Sequence, residues 1–315
     1  MQLSTQINLP ITHNTIDYSS QLVLMGSCFA QNMGEKFAYY QFQNTVNPFG
    51  IIFNPISMQK LMERAVNDQK FTADDLFFHN ERWQCFELHS EMSQPEPNEM
   101  LTHINRVLDQ FAQDLQKATH IVITLGTAWV YKHKESQQIV ANCHKVSQTA
   151  FQKELLSIEQ IKQSLSKITS LVRSLNPKVH FVFTVSPVRH LKDGFVQNQQ
   201  SKAHLISALH DFLQIDTGSS YFPAYEILMD ELRDYRFYAD DLLHPNALAI
   251  EYIWQKWTET HINSSCYSLM EEVAYLRKAL AHKPFQPESE SHQKFLSQLQ
   301  IRIEKLQSQL NFISF

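Results

Sequence analysis

The sequence predicts an α/β fold in which a parallel sheet is covered by helices on both faces. Three observations support this prediction. Short apolar runs end at small residues, segments with helical spacing separate these runs, and the two kinds of segment alternate along most of the chain. The 315 residues suffice for one large domain or two modest ones.

The first predicted unit is a strand, a tight turn and a helix. The apolar run Leu22–Met25 is short and uninterrupted, as in a strand that is buried on both faces, and it ends at Gly26 and Ser27. The following segment, 29–40, places apolar side chains at helical spacing. These apolar residues are Phe29, Met33, Phe37 and Tyr40.

Three later strands are predicted by the same pattern. They cover 120–125, 179–185 and, with a weaker pattern, 220–222. Helical spacing is found at about 98–117, 154–175 and 198–214. Ligands of parallel α/β sheets bind at the carboxyl ends of the strands. Three polar residues are expected at that edge: Ser27, Thr127 and Ser186.

Two regions depart from the alternation. Residues 51–97 hold aromatic side chains around Asn80-Glu81, which predicts a hairpin-like insertion that covers the site. Beyond Trp257 the pattern predicts a helix over 266–282, a linker over 283–291 and a final helix. We therefore expect a main domain over 1–262 and a C-terminal helical extension over 263–315.

The final helix carries an apolar seam with alternating spacings of three and four residues. Two interpretations stay open for it. The helix packs on its own domain, or it forms a coiled coil in a homodimer. The seam consists of Leu296, Leu299, Ile303, Leu306, Leu310 and Ile313.

Composition excludes several classes of protein. A net charge of −5 disfavours a strongly basic surface for nucleic acids, and 43% hydrophobic residues argue against disorder. The sequence has no apolar stretch of membrane-spanning length and no secretory signal pattern. The four cysteines are far apart and form no CxxC motif, so reduced thiols in a cytoplasmic protein are expected.

Ser27 is the first candidate catalytic residue. It lies between a buried strand and a helix, so its hydroxyl is expected at the rim of the sheet, beside helix N–H groups that stabilise an oxyanion. The alternative is an ordinary N-cap, which serine performs well. Cys28 is a rival nucleophile, because helix N-termini favour thiolates, or it is a small buried thiol.

Asp241 and His244 form the second candidate group, in the motif DDLLHP at 240–245. A spacing of three places both side chains on one side of a helical turn. The carboxylate can then accept the Nδ1 proton, which leaves Nε2 as a base. The alternative is a surface histidine beside a charged neighbour.

Other chemistry-bearing motifs are absent from the sequence. It contains no GxGxxG, no GxxxxGK[ST] and no HExxH, and the 15 histidines show no metal-ligand spacing. It also contains no GxSxG, which disfavours an ordinary α/β-hydrolase elbow. We therefore expect neither a cofactor nor a metal ion.

The order of the motifs over about 20–257 resembles the GSCFA-domain family, a branch of the SGNH/GDSL hydrolase superfamily. The pentapeptide GSCFA stands at 26–30 and DDLLHP at 240–245. The other motifs that resemble the family are NPFG at 47–50, LGTAW at 125–129, ANCHK at 141–145, SP at 186–187, NQQSKA at 198–203 and YFPAYEI at 221–227.

The resemblance implies a flavodoxin-like three-layer α/β/α sandwich and an ester hydrolase. Ser27 would be the nucleophile, His244 the base and Asp241 the carboxylate that orients it. The amides of Ser27 and Gly50 would bind the oxyanion. The sequence departs from the superfamily in lacking an Asp between glycine and serine.

It also lacks a clear match for the superfamily's asparagine donor, a loss that typically costs about 10²- to 10³-fold in rate. Thr127, through its hydroxyl or amide, or Asn142 would have to replace that donor.

The main functional hypothesis is hydrolysis of a small acyl ester, such as an acetyl ester on a carbohydrate. The candidate substrate contacts are Trp83 and His89 in the insertion, and Trp129 and His144 in the LGTAW and ANCHK motifs. A core tryptophan and a surface histidine are the alternatives for the first two. The rival functions are a non-catalytic binding module that keeps the fold and a thiol acyltransferase that uses Cys28.

Overall fold

The fold is described by a computed structural model that covers residues 5–315. The first four residues of the expected 1–262 domain lie outside this range. The strands are β1 (Gln21–Gly26), β2 (Gln43–Val46), β3 (Phe77–His79), β4 (Arg82–Gln84), β5 (His120–Leu125), β6 (Trp129–His133), β7 (Ile139–Val140), β8 (Phe151–Leu155), β9 (His180–Val185) and β10 (Ser219–Tyr221).

Helices separate most of these strands. They are α1 (Cys28–Tyr39), α2 (Pro55–Val66), α3 (Pro97–Lys117), α4 (Ile158–Leu175), α5 (Phe195–Leu213), α6 (Ala224–Glu226), α7 (Ala247–His261), α8 (Tyr267–Ala281) and α9 (Glu290–Gln309). A π-helical turn over Ile227–Glu231 continues α6.

The central sheet has five parallel strands in the order β10-β9-β5-β1-β2. When only the strands of this sheet are numbered, the order is 2-1-3-4-5, which is the flavodoxin-like arrangement. Helices cover both faces, as the sequence predicted, and further helices follow at the C-terminal end. The predicted α/β fold with a parallel sheet is confirmed.

Alternate residues of the strands supply two separate apolar cores. Val23 and Met25 of β1 face the core that α2, α3, α4 and α5 cover. Leu22 and Leu24 face the opposite core, which α1, α7, α8 and α9 cover. Because successive side chains of a strand point to opposite faces, an uninterrupted apolar run is the sequence that a doubly covered strand requires.

The regions that interrupt the alternation contain more structure than the sequence indicated. The hairpin β3–β4 is present, and its turn residues Asn80 and Glu81 have positive φ, as in a tight hairpin turn. However, the range 51–97 also includes α2. Later in the chain, β6, β7 and β8 form a second small antiparallel sheet. The edge strand β2 was not predicted, because its residues are half-buried and mostly polar.

The C-terminal helices pack on the rest of the chain. Four seam residues, Leu299, Ile303, Leu306 and Ile313, are buried in the same core as α1 and α7. Arg277 of α8 donates from Nη2 to the carbonyl oxygen of Ala38 at the end of α1 (3.1 Å). Packing within one chain therefore covers most of the seam. Across residues 5–315, no helix is both long and apolar enough to cross a membrane.

Candidate active site

Ser27 lies at the carboxyl edge of the sheet, as the N-cap residue of α1. Its Oγ accepts a hydrogen bond from the backbone N–H of Phe29 (3.2 Å). The preceding Gly26 has a φ of +141°, and a Cβ there would lie 2.2 Å from the carbonyl oxygen of Thr124. The turn therefore requires glycine, because only glycine lets β1 end this close to β5.

The hydroxyl of Ser27 bonds to a second serine. Ser27 Oγ donates to Ser186 Oγ at 3.0 Å, and both residues are buried. Ser186 directly follows β9, and its N–H donates to the carbonyl oxygen of Leu125 (2.8 Å). Its Oγ also accepts from the N–H of Val188 (3.3 Å). The ends of β1 and β9 therefore meet through their serine side chains.

A buried lysine lies beside this pair. Lys202 of α5 is 0% exposed, and its Nζ donates to the carbonyl oxygens of Gly126 and Ser186, each at 2.7 Å. No carboxylate pairs with it among the described residues. Burial lowers the pKa of Lys202 to about 7. The role of Lys202 was not predicted from the sequence. A lysine on the buried face of an amphipathic helix is unusual, and that position could have indicated a buried amine.

Asp241 and His244 contact each other on the loop before α7. His244 Nδ1 and Asp241 Oδ2 are 2.5 Å apart, and Asp241 Oδ1 accepts from the N–H groups of His244 (3.0 Å) and Leu243 (2.9 Å). The hydrogen bond from the His244 N–H contributes most to holding the pKa of Asp241 down at about 2. The side chains are 45% and 46% exposed, so the pair faces solvent.

This pair makes no hydrogen bond to Ser27. Over residues 5–315, His244 Nε2 has no protein hydrogen-bond partner, and the Ser27 hydroxyl bonds to Ser186. The pair also affects the titration of two buried neighbours. Burial raises the pKa of the Cys28 thiol, and the Asp241 carboxylate adds to that rise. Burial lowers the pKa of His190 to about 4, with contributions from Lys202 and His244.

Several expected oxyanion donors already have partners. The Ser27 N–H donates to the Thr124 carbonyl oxygen at a long 3.3 Å, and the Gly50 N–H donates to Asn47 at 2.8 Å. The Thr127 hydroxyl bonds to Ser201 Oγ (2.8 Å) and accepts from the Trp129 N–H (3.1 Å).

Asn142 is only partly engaged. Its Oδ1 accepts from the N–H of His144 (2.8 Å). Asn142 also lines a cavity at this edge.

Two backbone N–H groups at this edge remain without an acceptor within residues 5–315. One belongs to Cys28, the first residue of α1, where helix geometry leaves N–H groups unpaired. The other belongs to Thr127, whose amide was among the predicted donors. Sequence reasoning missed the Cys28 amide, although it precedes the amide that the Ser27 side chain caps.

The cavity at this edge has a volume of about 370 Å³. Four of the candidate residues line it: His89, Thr127, Trp129 and Asn142. His89 packs against Gly50, where a Cβ would lie 2.4 Å from the Cβ of His89. Trp129 Nε1 donates to the carbonyl oxygen of Gln197 (3.1 Å), which fixes the indole ring. Residues of the 51–97 insertion therefore form one wall.

The other candidate residues are not part of the lining of this cavity: Ser27, Gly50, Trp83, His144, Asp241 and His244. Trp83 stands in β4, and its ring centroid is 5.5 Å from that of Phe78. His144 is buried, and its Nε2 bonds to the carbonyl oxygen of Cys85 (2.7 Å). Burial lowers the pKa of His144. Trp83 and His144 therefore stabilise the segments behind the cavity wall and do not contact the cavity itself.

The charges around the cavity are mostly positive. Lys145 and Lys192 line it, and Asp193, which also lines it, pairs with Lys153. In the part of the chain that the structure describes, no group of three His, Cys, Asp or Glu side chains is arranged to hold a metal ion. The groups at this edge are hydroxyls, a buried amine and free amides, and the imidazole–carboxylate pair stands on an exposed loop nearby.

Comparison with known families gives two matches. The model of the GSCFA family matches residues 21–257, and the model described as GSCFA domain protein, C-terminal domain, matches residues 273–315. The first match contains every candidate catalytic residue, and the second contains α9. A search of curated proteins finds no significant match.

Solved structures give more distant similarities. A carbohydrate esterase family 3 protein from Talaromyces cellulolyticus is 8% identical, with a TM-score of 0.36, and the match covers 80% of this chain and 99% of that one. An acetyl xylan esterase from the rumen bacterium Butyrivibrio proteoclasticus is 11% identical, with a TM-score of 0.38, over 85% of this chain and 66% of that one. Because both TM-scores lie below 0.5, these similarities carry no conclusion about activity.

Proposed function

Because the chain belongs to the GSCFA family, whose motifs resemble those of the SGNH/GDSL hydrolases, we propose that it hydrolyses acyl esters with Ser27 as nucleophile. One observation carries the proposal. The Asp241–His244 pair is bonded through Nδ1, and Nε2 has no partner within residues 5–315. Its loop lies near the segment that follows β9, because Tyr238 pairs with Pro245 and its ring lies 4.7 Å from the Arg189 guanidinium. An imidazole fixed in this tautomer is the base that a serine nucleophile requires.

The proposed reaction begins with a rotation of the Ser27 hydroxyl. It leaves Ser186 and turns towards His244 Nε2, as the exposed loop that carries His244 closes on the site. Ser27 Oγ then attacks the acyl carbonyl carbon while its proton passes to His244, and Asp241 stabilises the imidazolium that forms. His244 next gives the proton to the departing alkoxide. Water repeats both steps on the acyl-enzyme.

The free N–H groups of Cys28 and Thr127 are the proposed oxyanion donors. Both follow strands of the central sheet, and neither has an acceptor within residues 5–315. Preorganised backbone donors stabilise the tetrahedral intermediate without reorganisation cost. In this proposal the Thr127 amide takes the place of the asparagine donor that the sequence lacks, and Asn142 contributes from the cavity wall.

We propose a small acyl group, such as acetyl, on a carbohydrate alcohol as the substrate. The cavity combines aromatic rings, Trp129 and Tyr131, with polar side chains such as His89 and Asn142. Aromatic faces with a few polar groups are typical of a small-molecule site. The cationic groups Lys145 and Lys192 add a preference for an uncharged or anionic alcohol.

A fluorophosphonate probe tests the proposed nucleophile. We expect one adduct on Ser27, located by mass spectrometry, that disappears in Ser27→Ala and is strongly reduced in His244→Ala. Cys28→Ala is the matched neighbour variant and should retain labelling and turnover of aryl acetates. A panel of acetylated sugars then identifies the alcohol. Absence of both label and turnover in the unchanged protein would overturn the proposal.

One observation favours a non-catalytic binding module as the alternative. Ser27 bonds to Ser186 rather than to His244, so the hydroxyl is satisfied without the imidazole. In that case acetylated sugars would bind without turnover. The second rival, a thiol acyltransferase, requires activity that survives in Ser27→Ala and stops in Cys28→Ala. The raised pKa of Cys28 disfavours the thiolate that this reaction needs.

We also propose a cytoplasmic location and a homodimer. The cysteines form no disulfide, which suits the reducing cytoplasm that the sequence suggested. A homodimer through the C-terminal helix would use the exposed part of α9, because the buried part of the seam packs on its own chain. The oligomeric state tests the second proposal, as described in the Discussion.

A further inference from the structure

Two buried residues outside the Ser27, His244 and Asp241 group determine where the Ser27 hydroxyl points. Ser186 Oγ accepts a hydrogen bond from the Ser27 hydroxyl, and Lys202 Nζ donates to the carbonyl oxygen of Ser186. Ser186 comes from the end of β9 and Lys202 from the middle of α5, so the sheet edge brings together segments that are distant in sequence. Both side chains are completely buried.

Lys202 has two acceptors, which match the two N–H bonds of an uncharged amine. An ammonium group carries three N–H bonds. The third would have no oxygen or nitrogen acceptor among the described residues, although the Tyr225 ring lies nearby, with its centroid 5.5 Å from Nζ, and no carboxylate compensates the charge. Burying an unpaired charge is unfavourable, so such a group loses its proton instead. The lowered pKa of Lys202 agrees with this reasoning. The amine therefore connects the end of β5 to the end of β9.

Three hydrogen bonds fix the position of Ser186. Its N–H donates to Leu125, its carbonyl oxygen accepts from Lys202, and its Oγ accepts from the N–H of Val188. The Ser186 hydroxyl proton has no acceptor among residues 5–315. It is therefore free to turn towards the Ser27 oxygen once Ser27 turns its own proton away.

We propose that Ser186 is a positioning residue for the Ser27 hydroxyl and that Lys202 keeps Ser186 in the required place. At rest Ser27 donates to Ser186. When the Ser27 proton passes to His244 Nε2, the Ser186 O–H donates to the Ser27 oxygen and stabilises its developing negative charge. Ser186 keeps its own proton throughout, so the proton balance of the reaction is unchanged. This inference rests on the proposed role of Ser27 as nucleophile.

Ser186→Ala is the direct test, with Ser20→Ala as the matched control. Ser20 is also a buried serine, and its Oγ accepts a backbone N–H, from Asp17 (3.0 Å), but it precedes β1 at the opposite edge of the sheet. The enzyme makes this hydrogen bond to a charged group only in the transition state. Removing such a bond costs about 10- to 100-fold in rate. We expect Ser186→Ala to lower kcat for an aryl acetate by about this factor, with KM unchanged. Ser20→Ala should leave both constants unchanged.

A double-variant cycle tests the role of Lys202. If Lys202 acts through Ser186, Lys202→Met lowers kcat, and adding it to Ser186→Ala lowers kcat no further. If the two substitutions instead damage the structure independently, the fold-loss of kcat in the double variant equals the product of the losses in the single variants. Chemical denaturation of each variant checks that the protein is folded. If Ser186→Ala does not fold, Ser186→Cys replaces it, because the thiol is a weak donor of similar size and should give an intermediate kcat.

The outcomes separate this inference from the proposed function. A protein that labels at Ser27, but whose Ser186→Ala variant behaves as Ser20→Ala, retains the proposed function and overturns the inference. The same holds if KM rises while kcat is constant. A protein without labelling or turnover overturns both. A selective loss of kcat in Ser186→Ala, without further loss in the double variant, supports the inference.

Discussion

Asp241 binds His244 twice, through the imidazole Nδ1 at 2.5 Å and through the backbone N–H at 3.0 Å. One carboxylate thus fixes both the orientation of the ring and the turn of the loop that carries it. Leu242, between them, has a φ of +60°, so the turn holds a backbone conformation that such a residue rarely adopts. Strained turns of this kind are often found where a side chain must be held for function.

Asp241→Asn should reduce turnover far more than it reduces stability. The amide of asparagine can present N–H to Nδ1, which favours the wrong imidazole tautomer, and a loss of about 10⁴-fold in kcat follows in serine proteases. The measurement is steady-state hydrolysis of an aryl acetate. Asp240→Asn is the control, since Asp240 is exposed and makes no side-chain hydrogen bond within residues 5–315. Equal losses in both variants would contradict the role of Asp241.

The stability of the protein should rise with pH because of Lys202. Its folded-state pKa of about 7 lies below the unfolded value of about 10.4. Between these values the unfolded chain binds more protons, so the free energy of unfolding increases with pH. The penalty for burying Lys202 is complete below about pH 7 and fades above it. Lys202→Met removes this contribution.

Urea denaturation at pH 7, 8 and 9 checks this prediction. The unchanged protein should gain stability relative to Lys202→Met over this interval, and other titrating groups cancel because the two proteins share them. If the free energies of unfolding of the two proteins change equally with pH, Lys202 does not change its protonation between the folded and unfolded states.

Gly50→Ala should destabilise the protein through two separable effects. Gly50 has a φ of +78°, which costs an alanine roughly 1–2 kcal/mol, and the new Cβ would lie 2.4 Å from the Cβ of His89. Adding His89→Gly should recover the steric part and leave the backbone part. Gly218→Ala is the comparison variant, because Gly218 lacks a positive φ and the new Cβ meets the guanidinium of Arg173 rather than another Cβ. Denaturation midpoints measure all three variants, and no recovery in the double variant would contradict the contact.

Two leucines of α9 should respond differently to truncation. Leu299 is 2% exposed, and Leu299→Ala should cost about 2–4 kcal/mol of unfolding free energy. Leu296, three residues earlier, is 39% exposed, and Leu296→Ala should cost much less. Denaturation measures both. If the protein is a homodimer through this helix, analytical ultracentrifugation will instead show that Leu296→Ala weakens association.

The sheet was largely predictable because its inner strands are buried on both faces. Strands β1, β5 and β9 consist of apolar runs, and the predicted bounds of β5 agree with the structure. The edge strand β2 escaped prediction, because half-buried residues at an edge need no apolar run. The strands β6 and β8 face solvent on one side, and their mixed composition gave no clear alternation.

The candidate site was predictable only where its residues are neighbours in sequence. The spacing of Asp241 and His244 indicated their contact, which the structure contains. Ser186 bonds to Ser27 from 159 residues later, and Lys202 bonds to Ser186 from 16 residues beyond that. Contacts between residues this far apart leave no regular spacing in the sequence. The hydrogen bond from the Gly50 N–H to the Asn47 carbonyl oxygen could not be predicted either, because it depends on the backbone conformation of the turn.

The shared core of α1, α7, α8 and α9 makes the C-terminal helices inseparable from the site. Helix α1 begins beside Ser27, and its last turn receives the hydrogen bond from Arg277. A chain shortened to end at residue 262 would leave an apolar face uncovered along the helix that carries the proposed nucleophile. The segments matched by the two family models therefore share one core in this protein, and a shortened form would need both of them.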